Sequence, residues 1–374
     1  MSRLSQLWSG LSPNARRGVV GGGVGVLAIG LVATMALGGG EKSAAKPQPT
    51  TSTTASSTST STSTSTTAPA TGPVAPLTGL PADANLIKRP ALAVKIDNLD
   101  NPSQSAVPQT GLPQTDVVYE EIVEGDITRL VGIFQSQQPG KVGPVRSART
   151  TDVELLPILG RPLLAWSGGN GGVVAAVAAS PYIINVGADA VPSAFSRDYS
   201  RKAPHNLYAA TDQLWAKAPA GTPAPAPLFS YRKPGQANPS TGTSAQGVDI
   251  VWGSGMAGTP ASWRWDPKAR AYVRNQRNRP HLDASGAQLT AKNVVVQVTE
   301  YGQSPADLRS PEAHTVGSGE VFVFTNGAVI HGTWNRPDIA KPATLTDDKG
   351  APILLTPGNT WVELPKAGGT TVVP

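Results

Sequence analysis

Between Tyr119 and Arg149 the chain reads YEEIVEGDITRLVGIFQSQQPGKVGPVRSAR, setting Glu120, Glu121, Glu124 and Asp126 against Arg129, Lys141, Arg146 and Arg149 around an apolar run. Guanidinium forks bind phosphate or carboxylate bidentately, and closely spaced carboxylates can serve as acid and base. Arg146 and Arg149 stand just ahead of Thr151-Asp152-Val153-Glu154, a T-x-x-E capping box that predicts a helix start and puts both arginines where unpaired N–H groups favour an anion. The same arginines could instead pair with Glu120, Glu121, Glu124 or Asp126 and simply hold the fold together.

A second basic cluster, Arg197, Arg201, Lys202 and His205 with Asn206, lies in SRDYSRKAPHNLY. Pro204 biases Ala203 toward an extended backbone, so His205 and Asn206 are expected on a loop. There His205 would act as acid, base or phosphate donor, or be a hydrogen-bonded structural histidine. If this loop folds over GPVRSAR, an electropositive cleft results.

Other candidates are weaker. Gly168 to Gly172 joins a strand to a helix, where backbone N–H groups can cradle phosphate, but it has neither G-x-G-x-x-G nor a P-loop Lys-Ser/Thr, and a tight turn accounts for it. His281 and Asp283 share a strand face as a metal or acid/base pair would, yet no third ligand stands nearby, so a hydrogen-bonded surface pair is expected and no metal is assigned. Trp263 with Trp265, and Trp334 with Trp361, read as core or glycan-stacking aromatics. No G-x-S-x-G, H-E-x-x-H or kinase signature occurs, and no cofactor is implied.

The elements that must position these residues follow from periodicity. Ala91–Ile96, Thr115–Ile122 and a half-buried Ile127–Phe134 are predicted strands; Pro162–Ser167 is followed by a small-residue helix, Val173–Ser180. This predicts an α/β or α+β domain over 76–218. A Pro/Ala-rich linker spans 219–235. Beyond it Ser262–Trp265, Ala271–Arg274, Asn293–Thr299, Val321–Phe324 and Ala328–Trp334, with turns such as Asn326-Gly327, predict a small, mostly antiparallel β domain over 236–374.

Gly18 to Gly40 is 23 residues without a charge, enough to cross a hydrocarbon core of about 30 Å as a helix. With Arg16 and Arg17 before it, residues 1–17 are cytoplasmic and all that follows is extracytoplasmic. A cleaved signal peptide ending near Ser43-Ala44-Ala45 is the rival. Residues 41–75 contain a Ser/Thr tract, expected as a disordered stalk open to glycosylation. The chain has no cysteine, which removes disulfides, thiol catalysis and lipid attachment through a lipobox. From residue 42 onward 28 basic residues face 24 acidic ones, a mild bias compatible with anionic partners. Nucleic acid does not fit the compartment.

From about Pro76 onward the chain resembles the YerB-like bacterial envelope proteins, through KIDN (95–98), DVVYEEIVEGDITR (116–129), GPVRSAR (143–149), APHNLY (203–208), His281 with Asp283, NVVVQ (293–297) and GNTWVE (358–363). The resemblance implies an envelope location and N- and C-terminal domains of unknown function; many members are lipoproteins, but the attachment cysteine is missing here. It carries no catalytic role to any residue.

Three functions fit these residues. One is a membrane-anchored envelope protein binding a wall polymer, lipid-linked phosphate or partner's acidic segment through Arg129, Arg146, Arg149, Arg197, Arg201, His205 and Asn206. The second is phosphoryl or glycosyl-phosphate transfer, loosely similar in topology to the LytR-CpsA-Psr enzymes, with Glu120, Glu121, Glu124 or His205 as acid or base. The third is a structural or interaction protein whose arginines are internally paired.

Overall fold

The structure, a computed structural model, describes residues 72–374 apart from 102, 234–235, 239–240 and 254–259. The expected membrane segment and nearly all of the stalk lie outside these residues. Among the described residues no helix is long and apolar enough to cross a membrane.

Strands dominate, and the helices are few and short. The Leu92–Asp97, Val117–Ile122 and Thr128–Phe134 strands fall where periodicity places them. Thr128–Phe134, expected half-buried, is buried along its whole length like the other two, because all three lie inside an eleven-stranded mixed sheet covered on both faces. Leu92–Asp97 pairs antiparallel with Thr128–Phe134, which pairs antiparallel with Val117–Ile122. The next strand inward is Thr360–Glu363, parallel to Val117–Ile122 on one side and to Asn293–Gln297 on the other. The antiparallel Gly317–Thr325 and Ala328–Arg336 hairpin, turning at Asn326-Gly327, continues the sheet. The regions expected as an α/β domain and a β domain thus supply strands to one sheet, a pairing invisible to periodicity because its partners are more than two hundred residues apart.

The pleat sorts side chains onto two faces. One carries Leu92, Val94, Ile96, Val118 and Leu130, and packs with Val248, Ile250, Trp263 and Tyr272 of a six-stranded sheet. The other carries Ala93, Val117, Tyr119, Val131 and Ile133, and packs with Val153 and Leu155 of the Thr150–Leu155 helix and Val173 and Val177 of the Gly171–Ala179 helix.

Two local expectations need correction. The helix predicted at the capping box begins at Thr150, and Asp152 Oδ2 accepts the Arg149 N–H at 2.7 Å, so Asp152 rather than Glu154 closes the cap. Thr151 and Glu154 are drawn away to the Asp307–Ala313 strand and the residues after it, Thr151 Oγ1 accepting from Ala313 N and Glu154 Oε1 from Thr315 N. Trp361 packs edge-on against Trp263, with ring centroids 5.2 Å apart, while Trp334 belongs to the opposite face.

Two carboxylates inside the first face share one cation, Arg274, which is fully buried. Its Nη2 donates to Glu120 Oε2 at 2.7 Å and its Nη1 to Glu363 Oε1 at 3.0 Å, and its guanidinium lies 4.8 Å from the Trp361 ring centre. Glu120 and Glu363 are cross-strand neighbours. Burial and the charge of Glu120 push the Glu363 carboxyl well above its ordinary range, against the pull of Arg274. Removing the cation would leave two buried carboxylates facing one another. Arg274→Leu is expected to cost about 3–5 kcal/mol in urea denaturation at neutral pH, the scale of a broken buried pair; a loss below about 1 kcal/mol would show that the ion triad does not bind the two halves.

Candidate functional site

Alternation splits the adjacent carboxylates of Tyr119-Glu120-Glu121. Glu120 joins Arg274, Asn98 and Thr128 on one face, accepting from Asn98 Nδ2 at 3.1 Å and Thr128 Oγ1 at 2.6 Å. Glu121 faces the helices and bonds Lys95 Nζ, which also donates to Asp152 Oδ1 at 2.8 Å. Glu120, Glu121 and Lys95 are all fully enclosed, so neither carboxylate is placed to touch a substrate.

Arg129 sits in register with Asp97 on one side and Glu121 on the other, on the same face. GPVRSAR runs beside it, tied by Arg146 N to Lys95 O at 2.9 Å and Val145 N to Leu207 O at 2.6 Å. This brings Arg129, Arg146 and Arg149 together. Arg149 bonds Glu124, and its Nη1 donates to Ala148 O at 2.7 Å. Arg146 Nε lies 3.0 Å from Asp97 Oδ2, close enough for an ion pair but too bent for a hydrogen bond. Arg129 is 5% exposed, donates from Nη1 to Ser147 O at 3.1 Å, and makes no ion pair.

The Nε–H groups of all three arginines are buried without a hydrogen-bond acceptor. Burial, with the charge of Arg149 adding to it, lowers the Arg129 guanidinium to about 10, so it stays charged at neutral pH. The side chain of Arg146 is a quarter exposed and gives the cluster its outlet to solvent. Arg146 and Arg149 are thus ion-paired with Asp97 and Glu124, while Arg129 has a backbone carbonyl rather than a carboxylate as its partner.

His205 is buried, not presented by its loop: Asp97 Oδ2 lies 2.6 Å from its Nδ1 and Gln104 Oε1 lies 3.2 Å from its Nε2. Asp97 therefore touches both Arg146 and His205. Gln104 lines an open groove of about 730 Å³ with Lys141, Arg201, Lys202 and Tyr208. Arg201 is held there by Pro108 O at 2.8 Å and Tyr208 Oη at 2.7 Å. Arg197 and Asn206 bond each other at 2.8 Å. The seven expected binding residues thus divide into a buried cluster (Arg129, Arg146, Arg149, with His205 behind Asp97), a groove-wall arginine (Arg201), and the Arg197–Asn206 pair.

His281 is likewise buried rather than at the surface. Its Nδ1 accepts from Arg274 Nε at 3.0 Å and its Nε2 lies 2.9 Å from Gln109 Oε1, while burial and then the Arg274 charge hold its pKa well down. Asp283 turns away to accept from Ser285 N at 2.9 Å. The Gly168–Gly172 loop lies next to GPVRSAR, Gly168 close to Ser147 Oγ, and Asn170 Oδ1 caps the following helix by accepting from Val173 N. Sequence reasoning missed Asp97 and Lys95 as site residues. The signal was present: two charges two apart in an apolar strand share a buried face, as Arg129 does.

Residues 77–223 match the N-terminal domain, and residues 248–362 the C-terminal domain, of the protein of unknown function DUF3048. The chain belongs to the YerB-like family. A relative from Bacillus subtilis (strain 168), named "Putative lipoprotein YerB", is 29% identical over 307 residues, covering 78% of this chain and 85% of its own. The crystal structure of YerB protein from Bacillus subtilis superposes with a TM-score of 0.68 at 26% identity, covering 80% of this chain and 99% of that one. The motifs of this YerB-like chain, KIDN, DVVYEEIVEGDITR, GPVRSAR and APHNLY, are the segments that meet at the arginine cluster.

Glu124 supplies a pH test of the cluster. Burial pushes its carboxyl up, but hydrogen bonds from Arg149 and Ser310 hold it down at about 2, from an ordinary 4.5. A depressed carboxyl stabilises the fold above its unfolded value, and that stability is lost as pH falls through the folded one. Glu124→Gln is therefore expected to lower Tm at pH 7, with the deficit shrinking below pH 4.5 and gone near pH 2; a pH-independent deficit would rule out the ion pair as its source.

Proposed function

We propose that this protein is an envelope-anchored, extracytoplasmic binding protein whose Arg129–Arg146–Arg149 cluster takes a phosphate or carboxylate group of a wall polymer or lipid-linked phosphate. The observation that carries the reading is Arg129, a buried guanidinium with no carboxylate partner, beside two more arginines whose Nε–H groups also want acceptors. An unpaired buried cation costs stability, and a bound anion offsets that cost. The relative's name as a lipoprotein and the uncharged 18–40 segment support the envelope location. The groove wall of Lys141, Arg201 and Lys202 offers further positive charge to a polymer. Transfer chemistry at the same cluster is less favoured, since Glu120 and Glu121, two of its proposed bases, are sealed in ion pairs.

Calorimetric titration of the full chain with inorganic pyrophosphate and with a detergent-solubilised polyprenyl phosphate tests this. Arg129→Gln is expected to weaken binding about 10-fold or more, the worth of a charge-assisted hydrogen bond, while leaving the unliganded Tm unchanged or raised. Unaltered affinity, or a Tm falling as it does for Arg274→Leu, would show that Arg129 serves the fold alone.

A further inference from the structure

A second cluster lies outside the arginine site, where the Thr150–Leu155 helix meets the Asp307–Ala313 strand. Glu154 comes from the helix. Glu312 and His314, two apart, point from one face of the strand and its extension. One oxygen or nitrogen of each lies within 4.8 Å of the others. Around a single ion at about 2.1 Å, ligand atoms sit roughly 3–4 Å apart, so a small contraction closes the shell.

Two features set this cluster apart from an ordinary acidic patch. Glu312 is 1% exposed, and its Oε2 is buried without a hydrogen-bond partner. Glu154 receives its hydrogen bonds on Oε1 alone, from Thr315 N at 2.7 Å, Thr315 Oγ1 at 3.1 Å and Val316 N at 3.1 Å, which fixes the carboxylate and leaves Oε2 for another partner.

We propose that Glu154, Glu312 and His314 bind a divalent transition-metal ion, Zn²⁺ or Mn²⁺, with water completing the shell. Two carboxylate oxygens and one imidazole suit these ions better than Ca²⁺ or Mg²⁺, which favour all-oxygen shells. The ion would clamp the Tyr301–Ser304 and Asp307–Ala313 hairpin to the helix that follows Arg149. Ser310 of that hairpin already bonds Glu124, the partner of Arg149.

The test is calorimetric titration of the metal-stripped full chain with ZnCl₂ and MnCl₂, alongside thermal denaturation with and without metal. One equivalent is expected to bind and raise Tm. Glu312→Gln, close in shape, and His314→Ala, at a half-buried position, are each expected to weaken binding at least ~10-fold and abolish the Tm rise. If Glu312→Gln fails to fold, His314→Ala decides alone. His331, exposed between Glu320 and Asp348, is the competing surface site, and His331→Ala is expected to leave the titration unchanged. No binding by the wild type at millimolar metal, binding retained by both ligand variants, or binding lost in His331→Ala would each overturn the proposal.

Discussion

Arg274 is a single cation that reaches both Glu120 and Glu363, and the pairing of the two halves of the chain depends on that triad. The two carboxylates lie on adjacent parallel strands drawn from opposite halves of the chain, both fully enclosed. Without a cation between them, the pairing of these strands would place like charges opposite each other in a medium of low polarity. Trp263 Nε1 supports Glu363 Oε1 at 2.7 Å, while Asn98 and Thr128 support Glu120, so every element around the triad is fixed by a polar requirement as well as by packing. This interface is therefore held by hydrogen-bonded charge as well as by apolar packing.

The opposite face solves the same problem with another cation. Lys95 takes both Glu121 and Asp152 and is closed in completely. A few residues along, Arg146 and Arg149 are paired with Asp97 and Glu124, while Arg129 donates to a backbone carbonyl and has no ion pair. On each face one buried cation serves two carboxylates, and at one end of the second face a further guanidinium, Arg129, has no carboxylate partner. That asymmetry distinguishes a candidate site from structural ion pairs of similar composition.

The hairpin over Tyr301–Ser304 and Asp307–Ala313 links the fold to that site. It contacts the first helix through Thr150 and Thr151, and reaches Glu124 through Ser310. A substitution in the C-terminal segment can therefore alter the arginine cluster although no C-terminal residue belongs to it.

The sequence by itself determined the strands and the presence of unusual charge. Leu92–Asp97, Val117–Ile122, Thr128–Phe134 and the Asn326-Gly327 hairpin are local consequences of apolar runs, β-branched residues and turn chemistry, and buried charges at Lys95, Asp97, Glu120, Glu121 and Arg129 had to find partners somewhere. Only the tertiary structure decided who the partners are. Glu120 and Glu121 are neighbours in the chain, yet the pleat sends one to Arg274, 154 positions away, and the other to Lys95, 26 positions away. His281 reads as a surface residue, and His205 as either a presented or a hydrogen-bonded structural histidine, because burial is not encoded locally, and the Thr151–Glu154 capping box lost both of its side chains to the Asp307–Ala313 strand and the residues that follow it. Register across a sheet depends on which distant strands pair, and that is fixed only when the whole core forms.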